Sequence, residues 1–341
     1  MNRPDLTPTL PPRLRPNDLL AFYSPSSPAT AFAPQRTARA VEFLRAQGLR
    51  LLPGALTGQR QGYRSGSIDQ RAEELNALIR NPDVRCIMST IGGANSNSLL
   101  PYIDYAALRA DPKIIIGYSD ATAILLAIYR RCGLVTFYGP ALVASFGEYP
   151  PFVDLTYASF RELLIDPPGP PHSYAAPPIW TDQFLDWETQ DGPKEARPNR
   201  WLTVQPGQSS GRLIGGNLNT ITGFWGSEFI PAIEAGDILL IEDSLKDAAT
   251  VERLFAFLKL NGVFDRIGGI ILGKHELFND QQTGWRPHDL LIEVLRDPAL
   301  PILADFDCCH THPMLTLPLG LRVELDATAR RVTLLEPWIA G

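Results

Sequence analysis

Hydrophobic residues in this chain alternate between short unbroken runs and stretches where they recur at helical spacing. Residues 19–23, 84–90, 114–116 and 134–138 are compact apolar runs, the pattern of strands buried on both faces. Between them, residues 35–47 place Ala38, Val41 and Leu44 on one helical face and meet a stop at Gly48. Residues 67–80 put Ala72, Leu75, Leu78 and Ile79 on one face, and Ser67 with Gln70 predicts a capping box at its start. The pattern resumes further on, with strands predicted at 237–243, 268–272 and 301–304 and helices at 248–261 and 288–296. Residues 321–325 and 332–335, around Asp326-Ala327-Thr328, read as a hairpin. This alternation predicts an α/β protein built on mostly parallel, helix-flanked sheets.

The two units are separated by a change of composition. From Pro167 to Gln208 the chain is proline-rich, has no clear period, and holds Trp180, Trp187 and Trp201, three of its six tryptophans. Disordered linkers are poor in aromatics, so an ordered connection is expected, either a binding loop or an inter-domain strap. The predicted organisation is an N-terminal domain over 1–166, a connection over 167–209 and a C-terminal domain over 210–341.

Length and charge narrow the function. With 341 residues, 45% of them hydrophobic and 20% charged, the chain has material for a large core. A net charge of −6 and the lack of a basic run argue against a nucleic-acid partner. No stretch approaches the roughly 20 apolar residues of a membrane span, and the polar, proline-rich start does not read as a signal peptide. The expected location is the cytoplasm, where Cys86, Cys132, Cys308 and Cys309 would be reduced thiols rather than a disulfide framework.

The chemistry concentrates at the ends of predicted strands, where α/β sheets bind ligands. The run 114–116 turns through Gly117-Tyr118-Ser119-Asp120 into an apolar helix. A serine there suits a nucleophile elbow and equally a helix N-cap; Ala121 stands where G-x-S-x-G would have glycine. Gly92-Gly93 ends another strand and would let a backbone N–H approach a substrate oxygen, paired with the amide of Asp120. Glu242 and Asp243 end a third strand and could orient a base. The base itself must come from five histidines: His172, His275, His288, His310 and His312. Cys308, Cys309, His310 and His312 crowd too closely to close around one metal ion, so neither metal nor cofactor is expected. The glycine-rich 211–217 lacks both the P-loop and the dinucleotide fingerprint and suits close backbone packing.

Taken together, GGANSNSLLPYIDY, GYSDATAILLAIY, GRLIGGNLNT, LLIEDSLKDAATVERLF and HTHPMLTLPLG resemble the LD-carboxypeptidase family of serine peptidases, in order and across nearly the whole chain. GGANSNSLLPYIDY and the connection TDQFLDWETQDGPKEARPNRW point to its microcin C immunity branch. The resemblance implies an N-terminal α/β domain like the class I glutamine amidotransferases, a C-terminal swivelling β/α domain, and a homodimer. It implies a Ser119–Glu242–His310 triad, with the amides of Gly93 and Asp120 as oxyanion hole. Trp187 matches a tryptophan that stacks on a substrate's adenine, and Asn219 and Lys246 match positions that contact polar groups. The family usually has glycine where Cys309 stands; a slip of register there would make His312 the base. On an extended chain the two imidazoles would lie about 6.5 Å apart, so only one could serve. The expected substrate is an aminoacyl- or peptidyl-nucleotide conjugate, with a murein tetrapeptide as the alternative and a non-catalytic binding protein as the rival.

Overall fold

In a computed structural model of the chain, residues 8–297, 299–308 and 310–341 are described. Cys309, and with it the expectation about its effect beside His310, lies outside them. The first half supplies β1 (Leu19–Tyr23), β2 (Arg50–Pro53), β3 (Val84–Ser89), β4 (Ile114–Gly117) and β5 (Thr136–Tyr138). The connection carries four short strands: β6 (His172–Ser173), β7 (Ile179–Trp180), β8 (Arg197–Pro198) and β9 (Leu202–Gln205). Then come β10 (Gln208–Asn217), β11 (Ile238–Glu242), β12 (Gly269–Gly273), β13 (Ile302–Phe306), β14 (Leu317–Leu319), β15 (Arg322–Asp326) and β16 (Arg331–Leu334).

These strands form two mixed sheets. The first runs β14-β5-β4-β3-β1-β2, parallel throughout except for β14, which is antiparallel to β5. The second runs β6-β16-β15-β10-β11-β12-β13-β9, with a parallel centre of β10 to β13 and antiparallel flanks. The remaining pair, β7 and β8, forms its own small ladder. Two features tie the halves together. The late strand β14 completes the first sheet, and β6 and β9 from the connection form both edges of the second. The connection is thus ordered.

Local rules explain most of the elements. The strand β4 is fully buried, as its unbroken Ile114-Ile115-Ile116 run requires. The helix Ile68–Arg80 begins with the predicted capping box, Ser67 and Gln70 each accepting the other's backbone N–H. Val251, Leu254, Phe255 and Leu258 of the helix Ala248–Leu260 are buried against the second sheet's core. The helix Phe152–Leu164, with Phe152, Val153, Phe160, Leu163 and Leu164 buried, has no counterpart in the sequence prediction. Neither has the long strand β10, whose glycines hide its period. Gly215, at φ +133°, has its missing Cβ only 1.9 Å from the Leu240 carbonyl oxygen. Only glycine lets β10 lie this close to β11.

Candidate active site

The strand ends of both sheets open onto one cavity of about 360 Å³, lined by Gly93, Ser119, Trp187, Asn219, Lys246 and His310 among others. Ser119 sits directly after β4 with φ +59°, a left-handed conformation that costs a non-glycine residue energy. The tight turn over Ser119–Ala121 then leads into the helix Thr122–Cys132. The Ser119 hydroxyl caps neither element, and the serine is partly exposed to the cavity. Thr122 Oγ1 instead donates to the Ser119 carbonyl at 2.6 Å and fixes the turn.

The loop after β3 is moulded around this turn. A Cβ on Gly92 would fall 2.7 Å from Ser119 Oγ and 2.8 Å from the Asp120 nitrogen, so a side chain there would occupy the space beside the hydroxyl. Gly93 has φ +146°, and a Cβ on it would collide with Ser26 at 2.2 Å. The Asp120 carboxylate is buried and accepts the backbone N–H groups of Asn95 and Ser96, both at 2.9 Å. Asp120 thus anchors the glycine loop with its side chain and leaves its amide near the serine.

Glu242 ends β11, fully buried under the cavity. Its Oε2 accepts from His310 Nδ1 at 2.8 Å, while its Oε1 accepts from the Tyr138 hydroxyl at 2.5 Å and from Asn217 Nδ2 at 3.0 Å. Burial by itself would raise the Glu242 pKa; the charge and hydrogen bond of His310, with the bonds from Tyr138 and Asn217, hold it below the usual carboxylate range. Burial likewise disfavours the His310 imidazolium, but the Glu242 charge and hydrogen bond outweigh it and raise the His310 pKa. With Nδ1 committed to Glu242, Nε2 is the ring nitrogen left to exchange a proton. Tyr118 holds the ring edge-on, with centroids 4.9 Å apart.

His312 belongs to a different cluster. Its backbone pairs with Thr181 of the connection in both directions, at 2.8 and 3.0 Å, and its Nε2 lies 3.6 Å from Glu148 Oε2. Burial, together with the charge of Lys194, pushes its pKa well below the ordinary histidine value. Glu148 also receives Arg36 at 3.0 Å, Lys194 at 3.3 Å and Gln190 at 2.5 Å. This cluster pins the connection to the helix Pro34–Ala46 and to the segment after β5, and supports Trp187, whose ring carries the Arg36 guanidinium at 4.7 Å and Phe32 at 6.1 Å.

Asn219 is exposed and donates its backbone N–H to Asp243 Oδ2 at 3.1 Å; Lys246 Nζ lies 3.5 Å from Asp243 Oδ1. Ser119, Gly93, Trp187, Asn219, Lys246 and His310 thus line the cavity, with Glu242 and Asp120 packed beside them, whereas His172, His275 and His288 do not line it. Tyr138, Asn217, Lys194 and Glu276 were not singled out. The first two are scattered in sequence and read as a strand end and part of a glycine-rich run. Lys194 and Glu276 look like ordinary surface charges until the loops are folded.

Residues 20–139 match the LD-carboxypeptidase N-terminal domain and residues 210–325 the LD-carboxypeptidase C-terminal domain. The Microcin C7 self-immunity protein MccF of Escherichia coli is 52% identical over 325 residues, 95% of this chain and 94% of that protein. A provisionally named carboxypeptidase of Vibrio cholerae is 60% identical over 322 residues, 94% of this chain and 96% of its own length. The fold superposes with a TM-score of 0.95 on MccF in complex with aspartyl sulfamoyl adenosine, at 52% identity, covering 98% of this chain and all (100%) of that one. The complex of MccF with glutamyl sulfamoyl guanosine gives the same TM-score, 0.95, at 51% identity over 98% and 100% of the two chains. The chain belongs to the LD-carboxypeptidase family of serine peptidases.

Proposed function

We propose that this carboxypeptidase cleaves the amide bond of aminoacyl- or peptidyl-nucleotide conjugates of the microcin C type, and so detoxifies them. In this reading Ser119 attacks the carbonyl, His310 takes its proton through Nε2, and Glu242 holds the imidazolium that forms. The amides of Gly93 and Asp120 receive the oxyanion. The acyl group stays on Ser119 while His310 returns its proton to the leaving nitrogen. Water, deprotonated by the same imidazole, then releases the acid.

One observation carries the reading: the His310–Glu242 pair of 2.8 Å ends in the same cavity as a serine held at φ +59°. The nucleotide half of the substrate is supported by Trp187, an aromatic face in that cavity already backed by Arg36, and by the ligands of the MccF complexes. Asn219 and Lys246 contact its polar groups. The reading keeps an amidotransferase-like domain over 1–166, the connection over 167–209 and a swivelling β/α domain over 210–341. It also takes the working form as a cytoplasmic homodimer, which sedimentation would check.

The test is a side-by-side assay of aspartyl-sulfamoyl adenosine and a murein tetrapeptide. Hydrolysis of the nucleotide conjugate is expected; release of D-alanine alone would move the function to cell-wall recycling. Ser119→Ala should bind the conjugate and lose all turnover. Near-normal hydrolysis by that variant would remove Ser119 from the mechanism.

A further inference from the structure

Glu276 is a carboxylate in the cavity that the hydrolytic groups leave unused. It lies just past β12, on a loop laced to the segment after β11. The Glu276 carbonyl accepts Leu245 N–H at 2.9 Å, Asn279 N–H reaches the Lys246 carbonyl at 3.1 Å, and Ala248 N–H reaches the Asn279 carbonyl at 2.9 Å. The two loops form one wall, so the backbone of Glu276 is held in place beside the cavity.

The other carboxylates here are satisfied. Glu242 is taken by His310, Tyr138 and Asn217, and Asp243 by Asn219, Ser244 and Lys246. Glu148 is taken by Arg36, Lys194 and Gln190, and Asp120 by Asn95 and Ser96. Among the described residues, none gives the Glu276 carboxylate a hydrogen bond or an ion pair. Burial raises its pKa, and the more distant charges of His310 and Lys194 only partly offset this. Its oxygens are open to the cavity and not sealed in the core, so a donor bound there would replace water at a half-desolvated carboxylate. The cavity's two lysines cannot balance it, since Lys246 faces Asp243 and Lys194 faces Glu148. The wall of the cavity therefore presents an accessible carboxylate with no protein cation paired to it, a ready partner for a cationic donor.

The chemistry of an aminoacyl conjugate supplies such a donor in one place. Its α-nitrogen is bonded to the carbon next to the scissile carbonyl, so it must lie beside Ser119 and His310 whenever the carbonyl is in reach. We infer that Glu276 accepts from the substrate's α-nitrogen and so favours conjugates in which that nitrogen is a free ammonium. This rests on the hydrolase reading above and adds a specificity-determining residue to it. An N-acylated conjugate keeps one amide N–H for Glu276 but loses the charge and two donors, so it should be taken less readily.

The experiment compares aspartyl-sulfamoyl adenosine with its N-acetyl derivative, on the wild type, Glu276→Gln and Glu276→Asp. The wild type should prefer the free amine at least tenfold in kcat/KM, mainly through KM. Glu276→Gln should lose most of that preference with kcat within about threefold, and Glu276→Asp should recover part of it. Glu276→Gln should melt no lower than the wild type, because it removes an unpartnered charge. Equal losses on both substrates would overturn the inference. So would a fall in kcat alone with a shifted acid limb, which would instead make Glu276 a support for the imidazolium. If the wild type hydrolyses neither conjugate, the functional reading fails by itself. Calorimetric binding of the two ligands to Ser119→Ala and to Ser119→Ala/Glu276→Gln then decides the contact: tighter binding of the free amine that needs Glu276 supports it, and no discrimination or no binding overturns it.

Discussion

The Tyr138 hydroxyl donates to Glu242 Oε1 at 2.5 Å, joining the end of the first sheet to the end of the second. The same hydroxyl accepts the backbone N–H of Ser119 at 3.1 Å. One phenol at the end of β5 therefore touches both the turn that carries the serine and the acid that orients the imidazole. Burial, with the Glu242 charge, pushes its pKa well above the usual tyrosine value, so it remains a donor at any working pH.

Tyr138→Phe removes this bridge without changing the ring. A hydrogen bond to a charged group is worth about 1.5 to 3 kcal/mol, so kcat should fall about tenfold to a hundredfold. KM should change little, because Tyr138 is fully buried and does not line the cavity. Steady-state kinetics on the conjugate, with a circular dichroism spectrum to verify folding, checks this.

The acid limb of the activity profile follows from the His310–Glu242 pair. The proposed mechanism requires His310 neutral before attack, and its pKa is raised by Glu242 against the opposing effect of burial. Hydrolysis should therefore be full above the raised value and fall as the pH drops through it, at a pH above the ordinary histidine midpoint of about 6.5. His310→Asn should lose turnover by at least a thousandfold. His312→Asn should retain most of kcat, since His312 contacts Glu148 and not Glu242. A kcat–pH series on the wild type and both variants separates the two imidazoles.

Glu148 is expected to matter for stability. Burial alone would raise its pKa, but the positive groups around it (His312 when charged, Arg36 and Lys194) bring it down to about 2 from the ordinary 4.5. A depressed carboxylate contributes stability that is present above the unfolded value and lost as the pH falls toward the folded one. Glu148→Gln leaves Arg36 and Lys194 facing no charge and should cost roughly 3 kcal/mol at neutral pH. The gap between variant and wild type should narrow between about pH 4.5 and pH 2, read by denaturant melts at each pH.

Much of the architecture was legible because its signals are local. Ser67 and Gln70 sit at capping-box spacing, and Ile114 to Ile116 form an apolar run with no polar alternative. Gly92 and Gly93 end β3 and Ser119 follows β4, where an α/β sheet places its ligands. The helix Phe152–Leu164 escaped notice because its apolar face is broad and follows a proline pair rather than a capping residue. The strand β10 shows no period because five of its ten residues are glycine or serine; Gly211 and Gly215 are kept small by the backbone at Gly236 and Leu240, and Gly216 by the side chains of Thr122 and Tyr138.

The order and type of most of the chain's elements, the serine turn, and the carboxylate at the end of β11 were set by patterns spanning a few residues, and those survive in a one-dimensional reading. Which imidazole faces which carboxylate was not. His310 and His312 are two positions apart and both line the cavity, yet one turns to Glu242 and the other to Glu148. That choice depends on partners 68 residues from His310 for Glu242 and farther still for Glu148. Burial and long-range charge act through space, so only the folded arrangement could assign them.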